Sequence, residues 1–330
     1  MNRVPFRKPR ITPDRAQATP AEFAGAEPLE GRLIDNRYHI QYEIGRGGTA
    51  VVYFAVDWDE FRERAVKVST GSLLAEDRKD HVLREAEILA IFDNDRIIRC
   101  SGSGLVEGRP FIVTELLDGI ELNYAMESGI SWSVARKALI ELCHALESVH
   151  ELGILHRDVK PANVFLWFDD SERLTIKLID FGLAASRLEI EQAAGPVVAG
   201  TPSYMAPELG RGKPSTPACD VYSAGVILYR MLTGLPPVNG IGAELIRKKA
   251  FVDPEAPSVR TPERCIPREL DEIALRAVAR MPEDRFQSAG ELRLALEACT
   301  AAPRLPQKSP AESIVVGMGS EEQGKKPKIA

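Results

Sequence analysis

Paired cysteines, long apolar runs and an excess of positive charge are all missing from this chain. Its five cysteines (Cys100, Cys143, Cys219, Cys265 and Cys299) form no CxxC pair and no Cys/His group with metal-ligand spacing. That excludes a disulfide framework and a zinc site and fits a reducing compartment, so a cytoplasmic location is expected. The longest apolar region, residues 221–238, is broken by Arg230 and by Pro236-Pro237. It falls short of the roughly 20 clean residues that span a bilayer. The basic start, Met1 to Arg10, lacks the apolar segment of a secretory signal. Lys plus Arg number 42 against 48 Asp plus Glu, a net charge of −6. No broadly basic surface for nucleic acid is therefore expected, and no membrane partner.

What is present is a 44% hydrophobic content over 330 residues, enough for one large core or two modest ones. Residues 1–36 carry five prolines and few large apolar side chains, and are expected to form a flexible arm. Arg3, Arg7, Lys8, Arg10 and Arg15 make it basic, which reads as a solvated tail. Residues 300–330 repeat the pattern, with Pro303, Pro306, Pro310 and Pro327. They are expected to be a disordered tail.

Between the arms, short runs with alternating or β-branched apolar residues predict strands at residues 38–44, 51–57, 64–69 and 110–115. A helix over residues 76–92 interrupts them, with Val82, Ala86, Leu89 and Ala90 on one face. Beyond Gly119 the period becomes helical. Ala135, Ala138, Leu139, Leu142, Ala145, Leu146 and Val149 form a stripe that ends before Gly153. Later helices are expected at residues 216–232, 267–279 and 288–298.

The chemistry-bearing residues follow the same order. Ile44-Gly45-Arg46-Gly47-Gly48 joins two predicted strands, and its glycines let a backbone hairpin approach something compact such as phosphates. A strand follows the loop and no Lys-Ser/Thr closes it, so neither a Rossmann turn nor a P-loop fits. Lys67 stands alone in the apolar run Ala65-Val66-Lys67-Val68. An ammonium there needs an anion, and Glu85 on the predicted helix is the candidate. Then come His156-Arg157-Asp158-Val159-Lys160-Pro161-Ala162-Asn163 and, 17 residues after Asn163, Asp180-Phe181-Gly182.

With these motifs, and with Ala206-Pro207-Glu208 and Asp220-Val221-Tyr222-Ser223-Ala224-Gly225 beyond them, the chain resembles the protein kinase superfamily and looks like a bacterial, eukaryotic-like Ser/Thr kinase. The resemblance implies an α+β fold of two lobes. The small antiparallel β-rich N-lobe with one key helix would cover residues 37–118, and the larger helical C-lobe 119–299. It also implies ATP with Mg2+, or Mn2+ in its place, and protein substrates bearing Ser/Thr hydroxyls, with autophosphorylation. Asp158 would accept the hydroxyl proton and Lys160 would neutralise the γ-phosphate. Asn163 and Asp180 would hold the metals. Lys67, fixed by Glu85, would clasp the α and β phosphates under Gly45, Gly47 and Gly48. Val52 and Ala65 would roof the adenine slot, Phe165 would floor it, and residues 115–117, Glu115 to Leu117, would supply its hydrogen-bonding edge; Ile44 would also bind the nucleotide. Thr114 before that edge implies a back pocket open to bulky ligands.

Lys160 and Gly200-Thr201-Pro202 carry the Ser/Thr reading, with Thr201 bonded to Asp158 and Lys160 by resemblance. Ala50 replaces a third loop glycine, but no Asp, Lys or Asn of the set is missing. A catalytically inactive scaffold, and more distantly a small-molecule kinase, are the competing readings. Arg285 is the expected partner of Glu208, and His156 is expected to support Phe181. His39, His81, His144 and His150 have no evident partners. Residues 187–199 lack any Ser, Thr or Tyr. The activation loop is thus expected either to order without phosphate, with Glu189 or Glu191 facing Arg157, or to take it on Ser186 or Ser203. Because no membrane span or outer domain follows, the input signal is expected to be cytoplasmic. The sequence carries no signal for oligomeric state.

Overall fold

A computed structural model describes residues 28–304 apart from 49, 71–75, 169–172, 187–188 and 191–199. The first lobe is a six-stranded antiparallel sheet in the order β1-β2-β3-β4-β6-β5. Its strands are β1 (Leu33–Ile34), β2 (Tyr38–Arg46), β3 (Ala50–Asp57), β4 (Arg62–Ser69), β5 (Cys100–Val106) and β6 (Arg109–Glu115). Alternation decides which face each side chain takes. In β3, Val51, Tyr53 and Ala55 are buried, while Val52 and Phe54 are only partly so. The buried set joins Val66, Val68, Phe111 and Val113 in the small-lobe core. Helix α1 (Glu76–Ala90) packs beside β5 and β6, with Ala86, Ile88 and Leu89 inward.

The second lobe begins with β7 (Ile120–Glu121), α2 (Leu122–Ser128) and α3 (Trp132–Glu151). Ser131 caps α3 by accepting from the Val134 amide, which satisfies one of the donors that every helix start leaves free. The predicted stripe from Ala135 to Val149 is buried, as is Trp132 ahead of it. Strands β8 (Ile154–Leu155), β9 (Val164–Phe168), β10 (Leu174–Leu178) and β11 (Ala185–Ser186) follow, with β8 and β10 packed against α3. They are followed by α4 (Pro217–Thr233), α5 (Gly242–Phe251), α6 (Pro257–Arg260), α7 (Arg268–Ala277) and α8 (Ala289–Ala298). Helix α4 is buried along nearly its whole length and forms the axis of this lobe. Each Leu, Ile or Val it takes from water contributes about 1.5–3 kcal/mol.

The lobes meet along residues 96–98 and 177–178. Ile98 N donates to Leu178 O at 3.0 Å, and Leu178 N donates to Arg96 O at 2.8 Å. Lys177 in β10 donates to Glu115 Oε1 at 2.7 Å. No helix among the described residues is long and apolar enough to cross a membrane.

The packed domain is wider than residues 37–299. Leu29 and Ile34 lie in the small-lobe core, and β1 pairs with β2, so residues 29–36, expected within the flexible arm, are corrected to part of the packed lobe. At the other end Trp132 Nε1 donates to Ala301 O at 3.2 Å, and Arg304 N to Arg264 O at 2.7 Å. Strand β5 was not expected, because its run Cys-Ser-Gly-Ser-Gly carries little β signal. Gly102 sits there because a Cβ would come within 2.6 Å of the Tyr38 hydroxyl oxygen, which donates to Ser101 O. Helices α2, α5 and α6 were not expected either. The expectations for residues 1–27 and 305–330 fall outside the described residues.

Candidate active site

The predicted nucleotide and metal residues converge between the lobes. Lys67, in register with Val52 on β3 and Ile112 on β6, extends from the sheet face opposite the small-lobe core. Its ammonium lies 3.3 and 3.2 Å from the two Glu85 oxygens and 2.9 Å from Asp180 Oδ1. Burial works against the Lys67 charge, but Glu85 and Asp180 outweigh it and hold the ammonium above its ordinary range. Burial likewise works to raise Asp180, and Lys67 more than reverses this, keeping the carboxylate ionised. Glu85 is pushed up by burial despite Lys67.

Asp158 anchors a second cluster. Lys160 Nζ donates to its Oδ2 at 2.5 Å, and the Thr201 hydroxyl and amide donate to Oδ1 at 2.9 and 3.0 Å. Lys160 also donates to Thr201 Oγ1 at 3.2 Å. Asn163 Nδ2 donates to Asp158 O and Oδ2, at 2.9 and 3.2 Å. That orientation leaves Asn163 Oδ1 without a protein donor among the described residues. Ile179 N donates to Asn163 O at 2.9 Å, which sets Asn163 beside Asp180. Arg157 and Asp180 both hold positive φ, 67° and 64°, a strained conformation for side chains of their kind that is found at functional sites.

Ile44, Val52, Ala65, Leu117 and Phe165, expected around the adenine slot, are all partly exposed. Ala65 pairs with Thr114 across β4 and β6. The Glu115 side chain does not face the slot alone, because Oε1 accepts from both Lys177 and the Arg99 amide. In the hairpin, Gly47 N donates to Ala50 O at 2.8 Å, while Gly45 faces Val52. A Cβ on Gly45 or Gly48 would meet nothing within 4 Å, so protein packing does not require glycine there.

Support comes from residues around the cleft, of which Asp220 and His150 had no assigned role in the sequence reading. Asp220 is buried and accepts from the amides of His156 and Arg157, at 3.0 and 2.9 Å, and meets His150 Nε2 at 2.8 Å. This corrects the expectation for His150. Its partner lies 70 residues further along the chain. His39 likewise contacts Gln41 at 2.7 Å, and His144 lies 3.5 Å from Glu147; the side chain of His81 lies outside the described residues. His156 packs edge-on against Phe181, ring centroids 4.7 Å apart. Glu208 and Arg285 form the expected buried pair, with two bonds of 2.7 Å. Glu189 does not meet Arg157. It pairs with Arg84 and accepts from Ser186, while Glu191 lies outside the described residues.

A two-lobed fold with this cleft defines a phosphotransferase scaffold, and the protein kinase domain family matches residues 38–293. The chain belongs to the protein kinase family. It is 35% identical over 282 residues to a probable serine/threonine-protein kinase of Streptomyces coelicolor, covering 82% of this chain and 41% of that one. It is 33% identical over 289 residues to the serine/threonine-protein kinase PknL of Mycobacterium tuberculosis, covering 87% and 71%. To PknB of Mycolicibacterium smegmatis it is 33% identical over 271 residues, covering 79% and 42%. The chain thus spans about two fifths of the length of several curated relatives. Protein kinases in general use ATP and a divalent metal.

Proposed function

We propose that this chain is a cytoplasmic serine/threonine protein kinase that transfers the γ-phosphate of ATP to Ser and Thr hydroxyls of protein substrates, its own chain among them. The observation that carries the reading is the set of three side chains around one carboxylate: Lys160, Thr201 and Asn163 all donate to Asp158. Such a carboxylate is oriented to accept a proton from a hydroxyl held against it. Lys160 and Thr201 touch each other as well, so the base and its neighbouring countercharge keep a fixed separation.

Phosphoryl transfer spreads negative charge over the migrating group, and the protein's task is to position partners and supply countercharge. Lys67 does this from the other lobe, steered by Glu85. Asn163 Oδ1 and the Asp180 carboxylate are hard oxygen donors and fit Mg2+, whose remaining ligands would be phosphate oxygens and water. When bound, the metal neutralises charge on the phosphates. Gly45 and Gly48 have open space on the cleft-side loop, so the reason for glycine there is the close approach of a ligand to the backbone. Ile44, Val52, Ala65, Leu117 and Phe165 offer the apolar slot for a flat base.

Incubation with γ-labelled ATP and a generic basic protein substrate tests the assignment. Wild type is expected to label the substrate and Asp158→Ala to lose at least about a hundredfold in rate. Equal labelling by both would sink it.

A further inference from the structure

Lys249 in α5 is buried, 3% exposed, and belongs to none of the motifs above. Its ammonium donates to the carbonyl oxygens of Pro202, Ser203 and Met205 at 2.8, 2.7 and 3.0 Å. It lies 5.4 Å from the centre of the Tyr222 ring in α4. No carboxylate among the described residues pairs with it. A buried cation without an anion costs free energy that an apolar side chain of the same size would avoid, so its three matched acceptors call for an explanation.

The three carbonyls belong to one turn. The turn starts at Thr201, whose carbonyl accepts from the Tyr204 and Met205 amides at 2.9 and 3.0 Å, and whose own amide and hydroxyl hold Asp158. One end is therefore tied to the catalytic carboxylate and the other to a helix some forty residues further on. That helix is seated firmly. Gly210 lets it close in, since a Cβ there would come within 2.4 Å of Ile246, and the Arg211 guanidinium donates to Ala250 O. On the far side of the turn, Pro202 and Ser203 are exposed.

We propose that Lys249 is a positioning residue for the protein substrate. It clamps residues 201–205 so that their exposed face meets the incoming polypeptide at a set distance from Asp158. The proposal rests on the reading of Asp158 as the base.

Lys249→Met keeps most of the side-chain volume and removes all three donors. The expected result is a peptide KM raised about tenfold, the size expected when buried acceptors lose a charged donor, with the ATP KM changed less than about twofold. Lys249→Arg, which keeps charge and donors, should recover most of the loss. An unchanged peptide KM, or equal changes in both KM values without rescue by arginine, would overturn the clamp. If wild type transfers no phosphate to any peptide, or Asp158→Asn matches it, the reading of the cleft fails instead.

Should Lys249→Met not fold, the pH dependence of wild type decides. Burial lowers Lys249 to about 7, and a neutral amine has two N–H groups for three carbonyls. Peptide KM should then rise severalfold between about pH 6 and about pH 8.5 while ATP KM stays level, and Lys249→Arg should flatten the rise. The group facing Lys249 is the Tyr222 ring of α4, which also carries the Arg285 guanidinium with its partner Glu208; Tyr204 of the turn bonds Arg230, Arg211 bonds the neighbouring Ala250 carbonyl, and Lys248 and Glu244 pair on Lys249's own helix. Both phenols are pushed up by burial, away from this range, so Lys249 is the group expected to titrate there. A flat wild-type profile overturns the proposal.

Discussion

Two lysines are drawn out of water near the centre of this molecule, and they are compensated in opposite ways. Lys67 keeps a third of its side chain exposed to the cleft and faces two carboxylates from different elements. Lys249 is sealed and faces three backbone carbonyls of a single turn. An open cation between two carboxylates is suited to exchanging one of them for a ligand's charge. A sealed one holds backbone in place. The first arrangement belongs to chemistry and the second to shape, although both side chains begin with the same expensive ammonium.

The largest effect that would break this contrast is on turnover. Lys67→Met is expected to lower kcat by about 10²- to 10³-fold, the range seen when one preorganised electrostatic donor is removed, with little change in melting temperature. Lys249→Met should show the reverse weighting, in peptide KM. If both variants lost turnover equally, the division into chemistry and shape would not hold.

A second test compares charge met by charge with charge met by dipoles. Glu208 and Arg285 are both buried, and Arg285 also donates to the carbonyls of Ala218, Ala279 and Arg280. Glu208→Ala strands that guanidinium and should cost about 3–5 kcal/mol. For a domain of this size that lowers the melting temperature by roughly 10 °C, measurable by calorimetry. The ATP KM of the surviving fold is expected to stay near wild type. An unchanged melting temperature would mean that the carbonyls alone satisfy Arg285, as they do Lys249.

The contrast also explains what was legible beforehand. Lys67, Glu85, Asp158, Lys160, Asn163, Asp180 and Thr201 stand in short, ordered motifs whose residue types are tied to their tasks, so their convergence was readable. Lys249 was not, because its partners are carbonyls that every residue carries and it is buried on α5, a helix of ten residues not anticipated from the sequence. His150 was missed since Asp220 reaches it across 70 positions. Leu29 and Ile34 are isolated apolar residues in a proline-rich stretch, and only pairing of β1 with β2 reveals them as core. The unexpected β5 has glycine where bulky neighbours demand it, which removes the side-chain pattern that marks a strand.

The smallest expected effect concerns the hydroxyl-free activation loop. Glu189 accepts from the Ser186 amide and hydroxyl, both at 2.7 Å, and pairs with Arg84, the neighbour of Glu85 on α1. Burial works to raise Glu189, but the Ser186 bonds and Arg84 outweigh it and hold the carboxylate below its usual range. A fixed carboxylate thus links the loop to the helix that steers Lys67, while Arg157 keeps a buried Nε without a partner among the described residues. Both members of the Arg84–Glu189 pair are more than a third exposed, so its contribution is about 0.2–1 kcal/mol. Glu189→Ala is accordingly expected to lower activity about two- to fivefold with no loss of folding, and Ser186→Ala to do less, in enzyme that carries no phosphate by mass spectrometry. Stoichiometric phosphate on Ser186 in active wild type, lost together with most of the activity in Ser186→Ala, would transfer the loop's ordering from this carboxylate to a phosphate, and Arg157 would be its natural counterion.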